Sequence, residues 1–336
     1  MFSPARIALA AAAVLALTAC TSGTPTDSAS PSPTPTTSPS ATPTPTPTPT
    51  PTSTVPVSSS LDAIKVTGKP LAAPKVEFKA PFAIDKTRVE VLKAGTGPKA
   101  DANGYVSVQY QGVNGRTGKV FDESFSAKGD PITFPLTGVI PGFQKGLTGQ
   151  QAGSRVLIGI PGPDGYDPMG GAGEDIKVGD TLLFVVDIVD VSLTEPSGKV
   201  ITPPSGLPTV TPGTGKPTIT IPSGDAPTTM TAQVLIEGTG RKVAKDDTIL
   251  VRYVGVSWKT GQVVDDHFAT ADSGPLSSTI PGWIKGLEGK TVGSRVLLVL
   301  PPAFGFPKGS NNPPLEAGDT IVYVVDLLFA YPTPGA

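Results

Sequence analysis

The chain writes one long unit twice. Ile140-Pro-Gly-Phe-Gln-Lys-Gly-Leu-Thr-Gly returns as Ile280-Pro-Gly-Trp-Ile-Lys-Gly-Leu-Glu-Gly, and Gly153-Ser-Arg-Val-Leu returns as Gly293-Ser-Arg-Val-Leu. Gly179-Asp-Thr-Leu-Leu-Phe-Val-Val-Asp comes back as Gly318-Asp-Thr-Ile-Val-Tyr-Val-Val-Asp. The offset is 143 residues up to Asp122 and Asp265, 140 through the middle and 139 at the end. The second copy has therefore lost three residues before Ile280 and one more before Gly318. Solenoid repeats run about 20–50 residues. A unit this long instead means two complete domains in tandem.

At the first offset Pro74-Lys-Val-Glu-Phe lies over Pro217-Thr-Ile-Thr-Ile, which sets the domains at 74–192 and 217–331. The Pro/Gly/Ser/Thr-rich stretch 193–216 reads as a linker, and 332–336 as a tail. Within a copy the pattern is mainly strand. Thr87 to Leu92 and Tyr105 to Tyr110 alternate apolar and polar residues, and Arg155 to Ile160 and Thr181 to Val191 are β-branched runs bounded by turn formers. One short helix begins at Pro141, with Phe143 and Leu147 four apart on one face. Too short to stand alone, it should lie against the concave face of an antiparallel sheet. The expected class is α+β: two tandem domains, each a sheet wrapped around one helix.

The residue inventory limits the chemistry. There is one Cys and one His among 336 residues, and the net charge is −2. Zinc sites of the Cys/His kind, intrachain disulfides and a pair of Ser-His-Asp centres are excluded. No basic surplus exists for nucleic acid. No cofactor or metal is expected. The lone Cys closes Leu17-Thr18-Ala19-Cys20, after Arg6 and an apolar run from Ile7 to Leu17 that is too short to span a bilayer. Residues 1–20 resemble a bacterial lipoprotein signal peptide, with Cys20 the lipidated residue. Of residues 21–60, thirty-four are Pro, Ser or Thr. Such a segment has almost no apolar surface to offset chain entropy. We read 21–73 as a disordered tether, with polyproline II from Thr42 to Pro51.

The motifs resemble those of the FKBP-type peptidyl-prolyl cis-trans isomerases. They are, in order, Tyr110-Gln-Gly, Lys119-Val-Phe-Asp-Glu-Ser, Val139-Ile-Pro-Gly-Phe, Gly165-Tyr166, Ile176 and Thr181-Leu-Leu-Phe184. The resemblance implies an apolar pocket lined by Tyr110, Phe121, Phe134, Val139, Ile140, Phe143, Ile176 and Phe184, with Phe143 replacing the usual Trp as its floor. It also implies that the Ile140 N–H binds a substrate carbonyl, that Tyr166 donates its hydroxyl to another, and that Asp122 tunes the pocket mouth. Read without the family, Tyr110 and Phe134 are equally well core residues, Leu147 is core only, and His267 is a solvated loop residue. Gly112 and Gly142 read as positions needing unusual backbone angles.

The second copy keeps Tyr253, Asp265, Ile280 and Trp283. Val264, Thr279, Phe306, Leu315 and Tyr323 stand where copy 1 has Phe121, Val139, Tyr166, Ile176 and Phe184. The three missing residues shorten the segment that carries Phe134 in copy 1. The expected function is a membrane-tethered, extracytoplasmic isomerase on the outer face of a bacterial membrane, assisting the folding of secreted proteins, with activity mainly in copy 1. Its partners would be Xaa-Pro segments of secreted or unfolded chains and macrolide immunosuppressants. The alternative is a non-catalytic immunophilin-fold module that holds unfolded or Pro-rich segments.

Overall fold

The computed structural model describes residues 55–125 and 130–333. Cys20, the signal-peptide segment and the tether through residue 54 lie outside them. Copy 1 is a six-stranded antiparallel sheet in the order Arg88–Lys93, Arg155–Ile160, Leu182–Val191, Tyr105–Asn114, Val120–Glu123, with Ile132–Pro135 also paired to Tyr105–Asn114. Copy 2 repeats this with Thr231–Gly238, Arg295–Leu300, Ile321–Pro332, Asp247–Ser257, Val263–Asp266 and Asp272–Pro275. Helices α1 (Pro141–Leu147) and α2 (Pro281–Leu287) each start on Pro, whose missing N–H is no loss in a first turn.

Both faces of each sheet are buried, and strand periodicity shows how. In copy 1 Val156, Ile158, Ile160, Leu182, Phe184, Val186 and Ile188 point to the concave side with α1. Leu157, Leu183 and Val185 alternate to the convex side. Helix α1 comes so close that a Cβ on Gly142 would lie 2.2 Å from Ile160, and one on Gly146 2.7 Å from Ile158. Gly142 is needed for that approach and is not among the positive-φ residues, so the expected unusual angle is corrected. The same holds for Gly112, where a Cβ would meet the Phe121 ring at 2.6 Å.

The convex face revises the domain limits. The segment assigned to the tether folds from Val57: Val57–Ser58 pairs with Ala83–Ile84, and Lys65–Thr67 pairs with Lys75–Glu77. Leu61 and Ile64 are buried against Leu157, Leu183 and Val185. The segment read as a linker, 193–216, is also folded. Gly198–Val200 adds an edge strand to the second sheet. Thr209–Val210 pairs with Ile219–Thr220, and Leu207 and Val210 cover Leu297, Val299, Val322 and Val324. A few well-spaced apolar residues in a polar, Gly- and Pro-rich setting are enough to cap a face that the sheet already presents.

A buried ion pair pins each of these hairpins. Arg155 and Asp187 are 4% and 3% exposed and pair through two hydrogen bonds of 2.7 and 2.6 Å. The rest of the guanidinium donates to Gly68 O and Ala72 O, and Asp187 Oδ2 accepts from Leu71 N. Arg295 repeats the arrangement with Asp326 and with Gly213 O, Thr214 O and Gly215 O. Polar groups left without such partners would be costly here.

Candidate active site

Copy 1 gathers its expected pocket residues on the concave side. The Phe143 ring is the floor, fully buried at the start of α1, edge-on to Phe184 at 5.0 Å and to Tyr110 at 6.2 Å. Phe134 leans on it at 5.9 Å from the Ile132–Pro135 strand, and Phe121 meets Phe184 edge-on at 5.5 Å. Val139 and Tyr166 are partly buried against the same cluster, and Ile140 and Ile176 are buried in it. The Tyr110 hydroxyl donates to Asp122 Oδ2 at 2.6 Å. Burial, then that hydrogen bond, pushes the Tyr110 phenol well above its ordinary value. Burial and the Asp122 charge push Tyr166 the same way. Both therefore stay protonated near neutrality. The Ile140 carbonyl accepts the first helical bonds from Phe143 N and Gln144 N. Its own N–H precedes α1 and donates to no described residue, so it is available to a ligand carbonyl.

One network outside the expected set holds the loop that carries Ile176. Asn114 Nδ2 donates to Asp175 O at 2.9 Å and to Asp180 Oδ2 at 2.7 Å, and Arg116 and Lys177 N also donate to Asp180. Burial opposes ionisation of Asp180, but these donors outweigh it and hold the carboxyl below the usual range. The repeated Gly-Asp-Thr was the available signal, since the Asp recurs as Asp319, which accepts from Ser257 Oγ at 2.5 Å.

Copy 2 builds the same frame with different walls. Trp283 is the floor, edge-on to Tyr253 at 4.9 Å and to Tyr323 at 5.4 Å. Leu315 is buried in this cluster, and Val264, Ile280 and Phe306 are partly buried against it. Thr279, in the place of Val139, turns its hydroxyl onto Leu276 O at 2.7 Å. The segment expected to be shortened keeps its strand. Ile249 faces Gly274 in the register where Val106 faces Phe134, so the loss is a side chain and not a strand. A Cβ on Gly274 would meet nothing within 4 Å. His267 is an exposed loop residue, as expected, just past the Val263–Asp266 strand; its ring stacks on Tyr253 at 4.8 Å and 19°, and its backbone N–H donates to Tyr253 O.

The sequence profile of the FKBP-type peptidyl-prolyl cis-trans isomerases matches residues 97–189 and again 239–328. A probable FK506-binding protein of Corynebacterium glutamicum is 36% identical over 113 residues, 32% of this chain and 93% of that protein. An FK506-binding protein of Streptomyces anulatus is 37% identical over 120 residues, 35% of this chain and 96% of that one. The isomerase FkpA of Escherichia coli is 36% identical over 102 residues, 30% of this chain and 36% of that protein. With two matches that together cover more than half of its length, on two sheets that each enclose one short helix, the chain belongs to the FKBP-type peptidyl-prolyl cis-trans isomerases and carries their domain twice.

Proposed function

We propose that the chain is an extracytoplasmic isomerase, tethered by lipid on Cys20, that speeds the folding of secreted polypeptides, with most turnover in copy 1. X-Pro rotation meets a barrier of about 18–20 kcal/mol because it interrupts amide resonance. The twisted amide is less dipolar than the planar one, so an apolar cage of Phe121, Phe134, Phe143 and Phe184 favours it. Tyr166 and the Ile140 N–H hold the flanking carbonyls, and no step needs a proton shuttle or a nucleophile. Macrolides would compete for the same cage, in line with the names of the two relatives matched over nearly their whole length.

The observation that carries the division of labour is the set of walls. Copy 1 has Phe121, Phe134 and Tyr166 where copy 2 has Val264, Gly274 and Phe306. The test is a protease-coupled assay on a Leu-Pro peptide. In the full chain, Phe121→Val with Tyr166→Phe removes an aromatic wall and a donor, together about 1.5–4.5 kcal/mol. The specificity constant should then fall roughly ten- to a thousand-fold. An unchanged constant would move the activity to copy 2. For the anchor, Cys20→Ala should leave the detergent phase, and unchanged partition would remove the lipid from the proposal.

A second reading suits copy 2 alone. Trp283, Tyr253 and Tyr323 preserve an aromatic pocket without the copy 1 cage, which is better built for holding a Pro-containing segment than for turning it over.

A further inference from the structure

The two copies use their tyrosines differently around one carboxylate. In copy 1 the Tyr110 hydroxyl is committed to Asp122, and Phe184 beside it has no hydroxyl. In copy 2 the residue at the Phe184 position is Tyr323, and its hydroxyl donates to Asp265 Oδ2 at 2.9 Å. Gly255 lies across from Tyr323 in the ladder as Gly112 lies across from Phe184, and a Cβ on Gly255 would meet the Tyr323 ring at 2.6 Å.

Tyr253 therefore keeps the position of Tyr110 but not its partner. Its hydroxyl donates to no described residue and is not sealed from solvent. The ring is held firmly, stacked on His267 and edge-on to Trp283. Burial, then the charges of Asp265 and Asp272, push its phenol upward, which leaves it a donor. Gly274 opens the neighbouring wall that Phe134 closes in copy 1. Phe306 brings no hydroxyl of its own. A rigidly held donor with no described partner, beside an opened wall, is placed to meet a ligand acceptor.

We propose that Tyr253 is the hydrogen-bond donor of the second pocket, released from Asp265 by Tyr323 and taking over for a bound Xaa-Pro segment the task of Tyr166 in copy 1. This rests on the reading of copy 2 as a binding pocket, and the test separates the two. The chain has two Trp, and copy 1 has none. Trp283 floors the second pocket, while Trp258 packs on the convex face. In the full chain carrying Trp258→Phe, emission reports the second pocket alone. Titration with an Ala-Leu-Pro-Phe tetrapeptide amide should change Trp283 emission saturably. Tyr253→Phe should weaken that binding roughly 3- to 10-fold. Tyr323→Phe should weaken it similarly, because Asp265 then recaptures Tyr253. Phe306→Tyr added to Tyr253→Phe should restore it. Unchanged affinity in Tyr253→Phe, with the parent still binding, overturns the role of Tyr253 and leaves the pocket. No saturable change in the parent overturns both.

Discussion

At the scale of single residues, Tyr166 is the sharpest handle on copy 1. Tyr166→Phe keeps the ring in the cluster and removes one hydroxyl, worth about 0.5–1.5 kcal/mol. The specificity constant should fall roughly 2- to 12-fold in the peptide assay, and a larger drop would mean that the hydroxyl also shapes the fold. The two phenols of this pocket are both pushed upward from 10, further from neutrality. Turnover should therefore be flat from pH 6 to 8, and a bell-shaped profile would indicate acid–base catalysis. The copy 1 site was legible because its residues sit in short motifs at fixed separations. Gly274 escaped because the three missing residues fall in the connection before the strand, five residues between Asp266 and Asp272 against eight between Glu123 and Ile132, while Pro135 and Pro275 hold the register and place a glycine opposite Ile249. The hydroxyl exchange escaped because Tyr323 reads as a wall residue until its distance to Asp265 is known.

At the scale of elements, the convex hairpins depend on one ion pair each. Arg155→Ala would leave the buried Asp187 charge without its cation, with only the Leu71 N–H donating to it, and release the carbonyls of Gly68 and Ala72, at about 3–5 kcal/mol. Urea unfolding should show that loss for copy 1 with little change in copy 2, and Arg295→Ala should do the reverse. A loss under 1 kcal/mol would mean that water reaches the carboxylate. Asp180 offers a pH test of the loop that carries Ile176. Its folded pKa lies below its unfolded value. The stabilisation it gives is thus complete above the unfolded value of about 3.9 and lost as pH falls through the folded one. Asp180→Asn should flatten the acid limb of the stability curve, and an unchanged limb would place the acid sensitivity elsewhere. The main strands and both helices were readable because each carries a full period. The hairpins were not, since strands of two or three residues show no alternation. The run 156–160, apolar on both faces, did carry the clue, because such a strand requires a cover on each side.

At the scale of the whole molecule, the copies are joined by structure and not by slack chain. Leu193 N donates to Leu328 O, Ser197 N donates to Gly293 O, and Tyr105 of copy 1 stacks on Tyr331 of copy 2 at 6.2 Å. Leu193 packs with Phe329 and Leu328 at this junction. The domain limits drawn from the repeat, 217–331, would cut away this contact, the edge strand Gly198–Val200 and the cover supplied by Leu207 and Val210. Each partly buried aliphatic side chain contributes up to about 1.5–3 kcal/mol, so the cut removes several kcal/mol from a domain whose total is of order 5–15. A fragment 193–333 should therefore unfold in one sharp urea transition with a strong near-UV signal. A fragment 217–331 should lose that signal or unfold at a much lower midpoint. By the same reasoning 57–192 should fold where 74–192 does not, because the shorter piece lacks Leu61 and Ile64. Equal midpoints for long and short fragments would show that the hairpins decorate sheets already stable without them. If instead the short fragments collapse, an activity difference between isolated copies has meaning only for the longer pair. A dead 217–331 would then report an uncovered sheet and say nothing about the pocket that Trp283 floors.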